Sequence, residues 1–259
     1  MPVAAVRNTV MTFPTTLRDW RDRRRISQLE LALRAGTTQR HVSFMETGRS
    51  MPGRTMVVRL AESLELPLRE RNDLLREAGF AAAYAETPLD ERALAPVREA
   101  LRHVLDGHLP YPAIVVDRHG DLIAANSAFA LLTEGAAAEL LEPPVNVYRL
   151  ALHPDGMAPR IANLSEWAQH IIERLERENC RNPDARLAGL LAELSVPDRE
   201  TGTDYVGFAV PMHLRTSRGD MRLMTTVATF ATAADVTVAE LRLEAFLPAD
   251  ERTASLLRR

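Results

Sequence analysis

Two threonines, Thr37 and Thr38, precede an adjacent glutamine and arginine, Gln39 and Arg40, and this run carries groups that match the edges of DNA bases. A glutamine amide can bond bidentately to adenine N6 and N7, a guanidinium to guanine O6 and N7, and a threonine methyl can touch the thymine methyl. Acid–base chemistry has thinner support. His153 with Asp155 and His170 with Glu173 are close in sequence, but Pro154 and Gly156 mark a turn around the first pair and the second has the spacing of a helix surface. Cys180 is the sole cysteine, with no histidine beside it, so neither an intrachain disulfide nor a multi-cysteine zinc site is expected. Acids such as Asp90 and Glu91 have no partners at metal-ligand spacing, and no glycine-rich phosphate loop follows a strand. The expectation is a protein without catalytic residues, metal or cofactor.

The charges are unevenly placed. Of the 259 residues, 1–85 hold 14 arginines against 9 acids, a net of +5, whereas 86–259 hold 18 against 26, a net of −8; there is no lysine. A basic surface supplies the sequence-independent part of nucleic-acid affinity through counterion release, so DNA contact is expected from the first part. The same arginines also fit an ordinary solvated face. The length suits two domains, each with its own core. No apolar run approaches the roughly 18 residues needed to span a bilayer. The first 13 residues lack an apolar stretch followed by a small-residue cleavage site. A soluble, cytoplasmic, nucleoid-associated protein with no membrane partner is expected.

The elements that would position the base-reading run are five short helices over residues 15–80, after an N-terminal arm at 1–14. Leu17, Trp20 and Arg21 share the face of a first helix. Ser27 caps a second from Gln28 to Ala35, with Glu30 at the capping-box position, and Gly36 ends it. A third carries Val42 and Met45 at i, i+3 spacing and stops at Gly48. Val57, Leu60, Ala61 and Leu64 form the stripe of a fourth, and a fifth contains Leu74 and Leu75 before Gly79-Phe80. Two short helices joined by a glycine-containing turn form the frame that pushes the second helix into the major groove, although ordinary helical bundles contain such pairs too.

The runs Ser27-Gln28-Leu29-Glu30-Leu31-Ala32, Ala35-Gly36-Thr37-Thr38-Gln39-Arg40 and Met45-Glu46-Thr47-Gly48-Arg49-Ser50 strongly resemble the phage-repressor and xenobiotic-response-element (XRE) helix-turn-helix family, over the whole domain. The resemblance implies a lambda-repressor-like, all-α, five-helix fold. It implies that Gln28 clamps a phosphate and that Thr37, Thr38, Gln39, Arg40 and Ser43 lie on the recognition helix. Arg49, just past that helix, suits a phosphate. Phe44 departs from the polar residue common there and is read as a core or dimer contact in preference to a thymine-methyl reader; His41 is left between surface and groove.

Residues 81–110 read as a linker and a connecting helix with Leu94, Val97, Leu101 and Leu105 on one face, either a dimer helix or a cover on the next core. Residues 111–259 then change period. Ala113–Asp117 and Leu122–Asn126 are strands around the turn Arg118-His119-Gly120-Asp121, followed by a helix through Phe129 and Leu132. Helices are expected at Glu166–Glu178 and Asp184–Leu194, and strands at Val206–Leu214, Met221–Phe230 and Val236–Phe246. The hairpin and the asparagine before a helix resemble the opening of a PAS sensor domain, which implies a five-stranded antiparallel sheet with helices over a pocket. The fold class is therefore α+β. Asn146–Leu150, His153–Met157, Pro159–Asn163, Thr225-Thr226 with Thr229-Phe230, and Phe246–Asp250 resemble the ligand-binding half of MmyB-like transcription regulators.

Together the resemblances imply a regulator that binds double-stranded DNA as a homodimer at an inverted-repeat operator, its affinity set by a small apolar ligand such as a fatty acid or acyl compound. Val206, Phe208, Val210, Met212 and Leu214 form an apolar alternate set, and methionines suit an adaptable cavity, so Phe208, Met212 and Met224 are the expected lining. A solidly filled core fits the same pattern. Arg149, within the resembling Asn146–Leu150 run, is the candidate partner for a ligand carboxylate, and it fits a surface or interface arginine equally well. The alternatives are a C-terminal half that serves protein interaction or dimerisation without a small molecule, and an enzyme fused to a DNA anchor.

Overall fold

The computed structural model describes residues 12–194, 210–230 and 232–258. They fall into two units, one within residues 1–86 together with Ala234–Val236 and the other within residues 87–233 and 237–259.

The first unit contains α1 (Phe13–Arg23), α2 (Gln28–Ala35), α3 (Gln39–Glu46), α4 (Arg54–Ser63) and α5 (Leu68–Glu77). Local chemistry sets their ends. Thr12 and Thr15 form a capping box that starts α1 two residues before the expected Thr15. Ser27 accepts the Glu30 N–H and Thr38 the His41 N–H, each satisfying a donor that the first turn leaves unpaired. Gly36, with φ of 64°, ends α2 in the left-handed region that favours glycine. Phe13, Leu17, Leu31, Val42, Met45 and Leu60 are all fully buried in one core, each contributing roughly 1.5–3 kcal/mol by leaving water.

The second unit is built on an antiparallel sheet of β1 (Ala113–Val116), β2 (Leu122–Ala125), β3 (Met212–Thr216), β4 (Gly219–Thr229) and β5 (Arg242–Pro248), in the order β2-β1-β5-β4-β3. Its α-helices are α6 (Ala95–Asp106), α7 (Val147–Leu152), α8 (Leu164–Arg181), α9 (Ala185–Glu193) and α11 (Glu251–Leu257), and α10 (Val236–Ala239) spans the division between the units. Strand alternation gives the sheet two covered faces. Leu101 and Leu105 of α6 join Ala113, Val115, Leu243 and Ala245 in one core, so the apolar stripe of that helix is used as a cover within the chain. On the other face Ile114, Leu223 and Phe246 pack with Tyr148, Trp167 and Ile171. Burial on both sides explains why β1 is an unbroken apolar run.

Three expected elements differ. The run Val236–Phe246 is not one strand: α10 comes first and β5 begins at Arg242. Val236 is fully buried and the Leu241 N–H returns to Val238 O, so tertiary packing overrides the β preference of Val-Thr-Val. β3 begins at Met212, directly after Pro211, which has no N–H to offer a ladder; of the expected strand from Val206, residues 206–209 lie outside the described residues. The helix through Phe129 is a short 3₁₀ segment, Ser127–Leu131.

The β1–β2 turn is tied to α9. Arg118 and His119 both contact Asp184, at 3.0 and 3.2 Å, and Arg186 pairs with Asp121. Gly120 has φ of 85°, and a Cβ there would collide with the Tyr148 ring, so the turn and the aromatic core residue require glycine together.

Candidate functional site

In the first unit, α3 is held from behind by a buried polar cluster. Arg21 lies on the core face of α1, and Glu46 follows the buried Val42 and Met45 on α3. Arg21 Nε donates to Glu46 Oε1 at 2.6 Å and Nη2 to Oε2 at 3.1 Å, a bidentate pair whose carboxylate side chain is 2% exposed. The hydrogen bond to Glu46, and then the Glu46 charge, raise the Arg21 pKa against the opposing effect of burial. Gln28 Nε2 donates to Glu46 Oε2 at 2.7 Å, so the start of α2 and the end of α3 share one carboxylate. Gln28, expected as a phosphate clamp, therefore also braces α3, with one amide hydrogen left over.

Gln39 and Arg40 are exposed on the first turn of α3, and Ser43 one turn later is half-buried. Thr37 and Thr38 are committed to building that turn, for Thr37 Oγ1 bonds His41 Nδ1 at 2.9 Å while Thr38 caps the helix. The structure thus assigns His41 a local role. Phe44 is half-buried and lies beneath two guanidinium groups, Arg40 at 5.1 Å and Arg49 at 5.9 Å from its ring centroid. The stack fixes two flexible cations on one exposed surface, a juxtaposition invisible in the sequence because the turn at Gly48 creates it.

In the second unit, the sheet face under α7 and α8 leaves a cavity of about 160 Å³. Ile114, Phe246, Trp167, Ile171 and Val227 supply apolar wall. Its polar groups converge: Glu244 on the central strand has a side chain 5% exposed and accepts Arg174 Nη2 of α8 at 3.1 Å. Arg174 also donates to the Tyr148 hydroxyl at 3.4 Å. Burial, and then the Glu244 charge, push the Tyr148 pKa up to about 12, so the phenol keeps its proton. His170, on the wall beside Arg174, is shifted down by burial and by the Arg174 and Arg177 charges, which keeps its ring neutral at pH 7. Thr225 Oγ1 on β4 is buried without a hydrogen-bond partner among the described residues.

Of the residues expected at the cavity, Met212, Met224 and Arg149 lie elsewhere. Met212 is fully buried opposite Leu223 in the core. Met224 belongs to the alternate set of β4 that points to the other face, whereas Thr225 and Val227 face the cavity. Phe208 lies outside the described residues. Arg149 turns away and makes a bidentate, half-exposed pair with Glu193 at 2.8 and 2.7 Å; helix periodicity carries it off the face that buries Tyr148. Arg174, Glu244 and Tyr148 are the polar wall that sequence reasoning missed. One signal was available: in Arg242-Leu243-Glu244-Ala245-Phe246 the glutamate shares an alternate set with Phe246, and a charged residue on a buried strand face marks a site or an ion pair.

His153 and Asp155 sit on an exposed turn, 3.8 Å apart, and Cys180 is exposed. No group of three His, Cys, Asp or Glu side chains among the described residues could hold a metal ion, and no described helix is long and apolar enough to cross a membrane.

Comparison with known proteins assigns both units. A helix-turn-helix family model matches residues 17–71, and the model of the MmyB-like transcription regulator ligand binding domain matches residues 97–259. No curated protein matches. Among solved structures, an RNA-binding light-oxygen-voltage receptor is similar at 16% identity and a TM-score of 0.29, over 95% of this chain; the chain spans 62% of that structure's length.

Proposed function

The chain belongs to the MmyB-like transcription regulators, and from that premise we propose that it binds an inverted-repeat operator as a homodimer and that a small apolar ligand in the second unit shifts its DNA affinity. The observation that carries the DNA half is the exposed pair Gln39 and Arg40 on a helix locked from behind by Arg21, Glu46 and Gln28. A short rigid helix that presents amide and guanidinium groups on its first turn is what base reading requires. Gln39 and Arg40 read bases; Ser43 and the Thr37 and Thr38 methyls flank them, and Gln28 and Arg49 hold phosphates. One such helix reads too few base pairs for operator affinity, so two are placed about 34 Å apart, one DNA turn. A nucleoid-associated, cytoplasmic place accompanies this reading.

The ligand half rests on the cavity over the PAS-like sheet. Its 160 Å³ compares with the roughly 150 Å³ of an apolar protein cavity that accepts benzene, so a fatty-acid-like ligand seats a short stretch of its chain there. A ligand acts by its differential affinity for two states of the dimer, roughly 1–3 kcal/mol in typical couplings. No catalytic step belongs to the proposal.

Binding to an operator selected from random-sequence DNA tests the DNA half. Arg40→Ala should cost about 1–3 kcal/mol at the selected site and relax base choice, whereas Arg49→Ala should weaken all sequences and reduce the salt slope by about 1. Equal losses on selected and random DNA for both variants would refute the division of roles. A single footprinted half-site bound by a monomer would refute the dimer, and a chain that binds no apolar probe would favour protein interaction as the role of the second unit.

A further inference from the structure

The polar end of the cavity is electrically balanced. Arg174 and Glu244 neutralise one another at 3.1 Å, Arg242 and Glu178 do so at 2.9 Å beside them, and His170 is held neutral. Glu244 occupies the middle of the sheet, paired on one side with Ile114 and on the other with Val227, and with its side chain 5% exposed little water relieves its charge. A ligand carboxylate brought to Arg174 would set a second negative charge against this buried one, at a cost that low-dielectric surroundings magnify. A neutral head meets the opposite situation. Glu244 retains acceptor capacity on its carboxylate, Tyr148 accepts from Arg174 and has its own proton to donate, and Thr225 Oγ1 is buried without a partner among the described residues. An unpaired buried hydroxyl carries a penalty that a ligand able to bond with it removes.

We propose that the cavity selects an uncharged ligand, with an apolar body of about the bulk of a benzene ring or short alkyl chain and one neutral head that both donates and accepts, such as a primary amide or a hydroxyl. The proposal rests on the ligand-binding reading above and narrows it: the acyl compounds that fit are amides and alcohols, not free acids. Glu244 and Arg174 are specificity-determining because they fix the charge that the head must not carry. Thr225 is the further hydrogen-bonding group.

The test is calorimetric titration of the full chain at pH 7.5 with three probes of matched chain length: hexanamide, hexan-1-ol and sodium hexanoate. The amide and the alcohol should bind at least about tenfold more tightly than hexanoate. Glu244→Gln removes the negative charge and leaves Arg174 unneutralised, so hexanoate should gain at least about tenfold. Thr225→Val, of nearly the same shape, should weaken hexanamide severalfold. Tighter binding of hexanoate to the unmodified chain overturns the neutral-head proposal while leaving the ligand cavity standing, and this comparison needs no variant to fold. Absence of binding by every probe overturns the cavity reading as well.

Discussion

Replacing Arg21 with methionine removes the only guanidinium bonded to Glu46 among the described residues, while the methionine fills much of the same volume on α1. Glu46 then keeps only the 2.7 Å bond from Gln28, with a side chain 2% exposed. Leaving one partner of a buried pair uncompensated costs about 3–5 kcal/mol. A unit of this size, about 75 residues, has roughly 4–11 kcal/mol of stability at 0.05–0.15 kcal/mol per residue, so Arg21→Met should remove about a quarter or more of it. At 4–8 °C per kcal/mol the midpoint should fall by at least about 12 °C. Urea and thermal unfolding followed by Trp20 fluorescence in a Trp167→Phe background isolates the first unit. The double variant Arg21→Met with Glu46→Leu should recover most of the loss, because an apolar pair carries no desolvation penalty. A single-variant cost below about 1 kcal/mol, or a double variant no better than the single, would show that the ion pair does not brace α3.

Phe44→Leu keeps an apolar body but takes the ring from beneath Arg40 and Arg49; at roughly 0.5–1 kcal/mol per cation–π contact, operator affinity in a fluorescence anisotropy titration should fall about five- to thirtyfold with the melting temperature unchanged, and Phe44→Tyr should restore it. Thr38→Ala removes the cap on the His41 N–H and should cost about 1 kcal/mol in urea unfolding of the first unit. Gly120→Ala forces a side chain into a φ of 85° and against Tyr148, so about 2–4 kcal/mol should be lost from the second unit, read by Trp167 fluorescence with Trp20→Phe. Burial pushes the Asp184 carboxyl up, but the Leu187 N–H, His119 and Arg118 outweigh it and hold the pKa below the ordinary 3.8. A group depressed in the folded state contributes stability above its unfolded pKa and loses it as pH falls through the folded value. The second unit should therefore weaken below about pH 4, and Asp184→Asn should flatten that part of the acid-unfolding profile.

The first unit was legible in the sequence because its signals are local. Ser27, Gly36, Thr38 and Gly48 mark helix ends by capping and backbone chemistry that acts within four residues, and Val42 with Met45 state the buried face by their spacing. The base-reading run was equally plain, since exposure at a helix start follows from the same marks. What the local pattern could not show is that Glu46 is neutralised by Arg21, 25 residues away, or that the chain's turn at Gly48 brings Arg49 back over Phe44.

The sequence by itself determined an α+β chain with a helical, basic first part and a sheet-bearing second part, and the family runs in each. Only the tertiary structure decided the cavity. Its polar wall comes from α7, α8 and β5, elements separated by up to 96 positions along the chain, and which of two alternate sets on β4 faces it depends on strand register. Period-2 alternation names two faces without saying which is inward when both are covered. That is why Met224 was expected in the site where Thr225 stands, while Arg149 was expected from the family run alone and the packing of α8 on β5 brings Arg174 to Glu244 instead.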